Sequence, residues 1–286
     1  MKQPNKEFDV PPSLDELIDQ FDNVTSSEST GAAVLELLLD TDISVGEIAS
    51  AIEEDPSFSR QLISMANSPH YKRANATNHL PTAICRLGLS TLEALSAMTI
   101  VDHVAPLKWS DWSNALSVAY GSSNLARRYR EDSTSAFSAG LLHNAGEIVM
   151  AHIDPSGYEV ILSECKNTAS ARTIQKIKSM EIELFGIDHC HLAAELMKRL
   201  HFSPDVIAAI AHHRDFQIAT DPLSRSVAGG ARLSSLRTMS PEAMPSDLLL
   251  PMGMDINDAL DFAIEARTKA IETLGISDTT LGLLVI

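Results

Sequence analysis

The segment TDISVGEIASAIEEDPSFSRQLISMANSPHY, residues 41–71, contains the clearest helix boundaries in the chain. Ser44 is followed three residues later by Glu47, which is the spacing of a capping box, where both side chains bond backbone N–H groups at a helix start. Asp55 and Pro56 mark a second start, because aspartate caps free N–H groups and proline fits the first helical turn. Apolar residues recur behind both starts at helical spacing. The segment therefore predicts two short helices in tandem.

The same spacing of apolar residues continues along most of the chain, and the sequence lacks alternating strand patterns bounded by turn residues. We therefore predict an all-α fold. Gly88 predicts a helix end, and Ser90 with Glu93 predicts a second capping box directly after it. Further helices are predicted over residues 112–130, 135–152, 172–185, 189–200, 223–236 and 256–274, with others after Pro155 and from Ser203. The apolar end LGLLVI is expected to pack on the body of the protein or on a partner.

Composition excludes several classes of function. The net charge is -16 and the pI is near 4.9, without the clusters of Lys and Arg that nucleic-acid binding requires, so we expect no direct nucleic-acid contact. The same deficit disfavours anionic membrane surfaces, and no apolar run approaches the roughly 18 residues of a membrane span. The N-terminal residues lack the apolar core of a secretory signal. Cys85, Cys165 and Cys190 have no CxxC spacing, which favours a cytoplasmic protein in which they fill the core.

Histidines in apolar surroundings are the most informative polar residues. His143 lies in GLLHNAGE, His189 in FGIDHCHLAAELMKRL, and His212 with His213 in IAAIAHHRD. Imidazoles on facing helices can converge into a metal site in the core of a bundle. The alternative is that each is an ordinary imidazole satisfied by one hydrogen bond. Adjacent helical residues point about 100° apart, so His212 and His213 cannot serve one site equally.

Between about Gly31 and Asp215 the chain resembles the HDOD family in five blocks of matching order and spacing: LLLDTDISVGEIASAIEEDPSFSRQLISMANSPHY, NHLPTAICRLG, WSNALSVAYGSSNLA, AGLLHNAGEIVM and FGIDHCHLAAELMKRLHFSPDVIAAIAHHRD. The resemblance implies a two-lobed helical bundle. We expect an N-terminal extension over 1–25 and an HDOD domain over 26–220, with its lobes at 26–108 and 109–220. The second lobe should resemble the HD-type phosphohydrolases, and a helical extension over 221–286 should pack on it.

HD-type phosphohydrolases bind one or two metal ions through a His, a His-Asp pair, further histidines and a late Asp, and the resemblance places these positions in this chain. The first histidine falls on Asn114, and the His-Asp pair falls on His143 and Asn144. The remaining histidines fall on His189, His212 and His213. The late aspartate should lie in SVAGGARLSS, which contains no acidic residue. The resemblance therefore implies a degenerate site that lacks both carboxylate ligands.

The loss of these carboxylates weakens the case for hydrolysis. An amide at Asn144 is a much weaker ligand for hard metal ions than an anionic oxygen. We expect no cofactor, while the four imidazoles leave open a softer divalent transition metal such as zinc or nickel. Glu147, one turn after His143, could substitute as a carboxylate because it shares the same helix face.

The leading hypothesis from the sequence is a non-catalytic signal-transduction module that binds a protein partner or a small ligand. The alternative is a metal-dependent phosphohydrolase with an altered ligand set, and a third reading is a scaffold without any small-molecule site. The sequence leaves open the identity of the partner, the input signal, and whether the protein forms a homodimer.

Overall fold

A computed structural model describes residues 14–25, 29–68, 70–71, 75–164, 171–215, 219–235 and 254–274. These residues form α-helices joined by turns and loops, with no strand in any of these ranges, which confirms the all-α prediction. The apolar end LGLLVI lies outside the described residues.

Six helices form the N-terminal part of the fold. They are α1 (Leu14–Thr25), α2 (Thr30–Leu37), α3 (Val45–Glu53), α4 (Pro56–Asn67), α5 (Leu80–Leu87) and α6 (Leu89–Val104). The capping box before α3 is confirmed, because Ser44 Oγ accepts from the Glu47 N–H at 3.2 Å and the Glu47 carboxylate accepts from the Ser44 N–H at 3.1 Å. The second start is confirmed as well, since Asp55 Oδ1 accepts from the N–H groups of Ser57 and Phe58.

The capping box predicted at Ser90 and Glu93 is wrong. Helix α6 begins at Leu89, directly after Gly88, so Ser90 already lies in its first turn. Gly88 has a φ of 78°, in a region where glycine carries no steric cost, and this allows α5 and α6 to meet at 107° without a longer loop. The reversal at one glycine takes the place of the predicted side-chain cap.

The remaining described helices are α7 (Trp109–Tyr129), α8 (Ser133–Leu142), α9 (Ala145–Ile153), α10 (Pro155–Glu164), α11 (Ala171–Phe185), α12 (His189–Arg199), α13 (Pro204–Ala211), α14 (Pro222–Ser235) and α15 (Ile256–Thr273). The long helix α7 packs against α8, α14 and α15. At Gly230 in α14 an added Cβ atom would lie only 2.7 Å from the Ser122 backbone nitrogen of α7. A glycine is therefore needed for the close approach of these two helices.

The single helix predicted over 135–152 is instead two helices, α8 and α9, separated at His143 and Asn144. Nδ1 of His143 lies 2.7 Å from the carbonyl oxygen of Gly140. That carbonyl is the acceptor that residue 144 would use in a continuous helix, so the imidazole competes with the backbone bond. Asn144 leaves the helical region, with φ -98° and ψ 9°. The break places His143 at a helix end, facing the core.

The apolar core runs without interruption from α1 to α14 and reaches α15. Tyr120 of α7 lies at its centre, fully buried, and its hydroxyl group contacts Thr273 Oγ1 at 2.6 Å and Ser68 Oγ at 3.2 Å. These contacts connect α15 to the N-terminal helices. The boundary between the two proposed lobes stays a prediction, because both contribute to one core. No single helix in the described ranges has the length and apolar character needed to cross a membrane.

Candidate functional site

Three of the four predicted histidines come together at helix ends. His143 directly follows α8, His213 is the second residue after the end of α13, and His189 is the first residue of α12. Each ring is at most 2% exposed. The ring centroid of His213 lies 5.1 Å from that of His143 and 5.3 Å from that of His189. We call these three residues the histidine cluster.

Every imidazole of the histidine cluster is held through Nδ1. A backbone carbonyl can only accept, so Nδ1 donates to the Gly140 oxygen from His143 and to the Ile210 oxygen from His213, both at 2.7 Å. Nδ1 of His189 lies 2.6 Å from the Glu181 carboxylate. Metal-binding histidines are commonly oriented in this way, through the nitrogen that does not bind the metal. The arrangement leaves Nε2 of each ring as the atom that can meet a ligand.

Glu181 is a functional candidate that the sequence reasoning missed. Its side chain is fully buried in α11, where it accepts from the Tyr158 hydroxyl group at 3.0 Å and from the His189 backbone N–H at 3.1 Å. The available signal was an acid on the apolar face of a helix, four residues after Ile177. A buried carboxylate that is not paired costs several kcal/mol. Glu181 therefore fixes both the position and the charge of His189.

The three imidazoles differ in protonation. Burial lowers the pKa of His189, but the adjacent Cys190 and the Glu181 carboxylate outweigh this effect and raise the pKa to about 10. Burial, followed by the positive charge of Arg214, lowers the pKa of His143 to about 3. Burial and the neighbouring His143 and Arg214 also hold the pKa of His213 well below its usual range. Burial therefore favours the neutral forms of His143 and His213, whereas Cys190 and Glu181 act on His189 in the opposite direction.

Arg214, the residue after the double histidine, brings a permanent positive charge to the cluster. Its Nε lies 3.4 Å from Nε2 of His189, and its Nη2 lies 3.4 Å from Oε2 of Glu147. Both side chains of this ion pair are 28% exposed. Glu147, which the sequence suggested as a substitute ligand, is therefore engaged by an arginine. No pattern in the sequence indicated that Arg214 turns toward the histidines.

The other predicted positions lie outside the histidine cluster. His212 is half-buried at the end of α13. Asn114 accepts from the Ser234 hydroxyl group at 3.1 Å, so it faces the helix that lacks the late aspartate. Asn144 is 3% exposed, and its Oδ1 accepts no hydrogen bond from the residues that the structure describes.

The donor atoms at this site do not fit the metal pair of an HD-type hydrolase. Two hard ions need anionic oxygen ligands, usually carboxylates that bridge them or hold them in place. Asn144 supplies a neutral amide, α14 contains no acidic residue, and Glu147 is paired with Arg214. Among the positions predicted from the sequence, what remains is a set of imidazole nitrogens beside a guanidinium group. Such a set suits a borderline or soft ion rather than a hydrolytic pair.

Comparison with known proteins agrees with this architecture. The HDOD domain model matches residues 26–216. The structure is similar to that of a Shewanella amazonensis SB2B protein provisionally named a phosphohydrolase, with 21% identity and a TM-score of 0.65 over 90% of this chain and 96% of the other. A Marinobacter aquaeolei VT8 protein, provisionally named a signal transduction protein, gives 19% identity and a TM-score of 0.60 over 91% of this chain and 64% of the other.

Among curated proteins, an uncharacterized protein of Treponema pallidum (strain Nichols) is 23% identical over 221 residues, which is 74% of this chain. The aligned part spans only 42% of the length of that relative. Likeness at these identities establishes the fold, whereas the family model covers most of the chain. This chain belongs to the HDOD domain family.

Proposed function

We propose that this HDOD protein is a non-catalytic signal-transduction module, which acts by binding a protein partner or a small ligand. The observation that carries the proposal is the position of Arg214, whose guanidinium group lies against both His189 and Glu147. We infer that this protein cation takes the place of the metal charge that a hydrolase of this fold needs.

The physical reason is the cost of placing like charges together. Hydrolysis of a phosphoester by this kind of site requires a metal that acidifies a bound water and neutralises the charge developing on the phosphate. A hard ion beside Arg214 would meet a permanent positive charge, and the neutral Asn144 amide would give little compensation. Glu147 could compensate only by leaving Arg214. The chain thus retains the helical scaffold but lacks the charge balance that metal-dependent hydrolysis needs. This combination supports binding rather than catalysis.

Two further observations support a role in signalling, and a third bears on the compartment. The Marinobacter protein that shares the fold carries a signal-transduction name. The strongly acidic chain, with a net charge of -16, suits a protein surface better than a nucleic acid as partner. The free thiols of Cys85 and Cys190 suit a reducing compartment such as the cytoplasm. We include self-association into a homodimer among the interactions through which the module could act.

A metal-dependent phosphohydrolase is the second candidate, and two observations favour it. All three imidazoles are held through Nδ1, which is the arrangement of metal ligands, and the Shewanella protein of the same fold carries a phosphohydrolase name. In this alternative, Glu147 would leave Arg214 and take the role of the carboxylate lost at Asn144.

Hydrolysis assays separate the two candidates. The purified full-length protein is incubated with bis(p-nitrophenyl) phosphate and with a cyclic nucleotide, in the presence of Mg²⁺, Mn²⁺, Ni²⁺ or Zn²⁺ in turn. We expect the rate to equal that of a His143→Ala, His213→Ala double variant with every ion. A chelator-sensitive rate that the double variant loses would overturn the non-catalytic proposal and favour the hydrolase.

A further inference from the structure

Cys190 lies directly beside the histidine cluster, although its sequence context suggested only a core residue. Its side chain is fully buried, and Sγ lies 3.4 Å from Nε2 of His189. The two residues are adjacent in sequence, at the first turn of α12, where the Asp188 carboxylate caps the N–H of Cys190. Their side chains converge at this helix start instead of pointing apart.

His213 completes a group of three donor atoms. One nitrogen of His213, one of His189 and the sulfur of Cys190 all lie within 4.8 Å of one another. Nε2 of His213 is buried in a side chain that is 1% exposed, and it has no hydrogen-bond partner among the described residues. A buried imidazole nitrogen without a partner carries an energetic cost unless a ligand satisfies it. This nitrogen is therefore an independent sign that something binds here.

The distance between the donor atoms of Cys190 and His189 is that of two ligands of one tetrahedral ion. Zinc binds thiolate sulfur at about 2.3 Å and imidazole nitrogen at about 2.0 to 2.1 Å, so two such ligands at a tetrahedral angle lie about 3.5 Å apart. The observed 3.4 Å between Sγ of Cys190 and Nε2 of His189 agrees with that separation. Glu181 and the Ile210 carbonyl already hold the opposite nitrogens of the two rings, as second partners of metal ligands do.

The local charges would also balance around a divalent ion. A histidine that binds a metal does so in its neutral form, so His189 adds no charge once the ion is bound. The ion and Arg214 then supply three positive charges, and a Cys190 thiolate with the carboxylates of Glu181 and Glu147 supplies three negative charges. For the ion to reach His189, the guanidinium group of Arg214 must move away from Nε2. Its contacts on both sides are long, at 3.4 Å, and its side chain is 28% exposed, so it can turn outward and keep Glu147 as its partner.

We propose that Cys190, His189 and His213 form a binding site for a single thiophilic transition-metal ion, with zinc as the expected ion. The thiolate supplies the anionic ligand that Asn144 no longer provides. Sulfur selects against Mg²⁺, Ca²⁺ and Mn²⁺ and in favour of zinc, so the site differs in donor chemistry from that of a hydrolytic metal pair. The inference does not depend on the proposed signalling role, because the metal site could serve a structural or a sensing purpose.

The test measures metal binding by the full-length protein. The protein is stripped with a chelator, checked by circular dichroism, and loaded with Zn²⁺ or with Co²⁺ as a coloured substitute. We expect one zinc per chain by elemental analysis, and in the cobalt form an intense sulfur-to-metal absorption in the near ultraviolet. A cobalt spectrum without the sulfur band, or a folded protein that takes up no zinc, would overturn the proposal before any variant is made.

Single substitutions then test whether Cys190 supplies the sulfur ligand. Cys190→Ser should abolish the sulfur band and lower zinc affinity by about a hundredfold or more, since even loss of an outer partner of a metal ligand costs about 10- to 100-fold. Cys85→Ser is the matched control, because Cys85 is exposed, and it should leave band and affinity unchanged. His213→Gln should weaken zinc binding while Cys190 remains. An unchanged band in folded Cys190→Ser would overturn the assignment.

The outcome is distinguishable from that of the proposed function. Absence of zinc would remove this site and leave the non-catalytic proposal intact. Zinc binding together with metal-dependent hydrolysis would support this site and contradict the non-catalytic proposal.

Discussion

Substitution of Gly146 tests the packing that forms the site. Gly146 is the second residue of α9, and an added Cβ atom would lie 2.8 Å from the backbone nitrogen of Ala193 in α12 and closer still to the His189 carbonyl oxygen. Both obstacles are backbone atoms, so a rotamer change cannot relieve the clash. Gly146→Ala must therefore separate α9, which carries Glu147, from the start of α12.

The expected cost follows from two opposing effects. Alanine stabilises a helix relative to glycine by about 0.5 to 1 kcal/mol. Overpacking of a tight interface costs about 1 to 3 kcal/mol, with backbone clashes at the upper end. The net destabilisation should be about 1 to 2 kcal/mol, which for a chain of this size lowers the melting temperature by about 2 to 8 °C.

Urea unfolding followed by circular dichroism measures the effect, with Gly46→Ala as the matched control. Gly46 is likewise the second residue of its helix, but the nearest atom to an added Cβ is Ser44 Oγ at 3.8 Å. Gly46→Ala should therefore stabilise the protein by up to about 1 kcal/mol. Midpoints that move together, in the same direction and by the same amount, would refute the close packing of α9 on α12.

Three further predictions address the charges and hydroxyl groups of the core. Glu181→Ala should destabilise the protein by about 3 to 5 kcal/mol in urea unfolding, because it leaves His189 without its buried partner. The control Glu183→Ala, at an exposed position, should change stability by less than about 0.5 kcal/mol. Equal effects of the two substitutions would contradict a buried pair. Burial, and then the charges of Arg127 and Lys269, lower the pKa of half-buried His70 to about 4. Between about pH 6.5 and 4 the unfolded chain therefore binds a proton at His70 and the folded chain does not. The free energy of unfolding should fall as the pH drops through that window. After allowance for solvent screening, His70→Gln should reduce the stability difference between pH 7 and pH 4 by about 1 to 2 kcal/mol, and an unchanged difference would contradict the pKa shift. Tyr120→Phe removes the hydroxyl group that contacts Thr273 and Ser68, so it should lower the free energy of unfolding by about 1 to 2 kcal/mol. It should also speed amide hydrogen exchange in α15. An equal change of exchange in α13 would indicate a global effect and contradict this role of the hydroxyl group.

Features set by neighbouring residues could be predicted from the sequence, as the caps at Ser44 and Asp55 show. Each depends on a side chain and on backbone groups two or three residues away. The predicted cap at Ser90 failed because the positive φ of Gly88 lets the next helix begin at Leu89, one residue before Ser90. Side-chain patterns therefore succeeded where a side chain caps the helix and failed where the backbone of a glycine starts it.

The site could be predicted only in part for the same reason. The apolar context of His143, His189 and His213 indicated burial, and the resemblance to a family indicated that they could converge. No spacing rule connects Glu181 to His189 through a side-chain bond, or turns Arg214 back toward residues 25 and 67 positions earlier. The helix break after His143 also escaped prediction, because it depends on an imidazole competing for a backbone carbonyl. These contacts decide the charge of the site.

Anomalous diffraction from crystals soaked in Mn²⁺ tests most directly whether the cluster has lost the hydrolytic metal pair. The density is recorded at the manganese edge, around His143, Asn144 and His213. We expect no pair of manganese peaks there, with the guanidinium group of Arg214 in contact with Glu147. Two peaks about 3.5 to 4 Å apart, with Asn144 as a ligand and Arg214 displaced from Glu147, would contradict it.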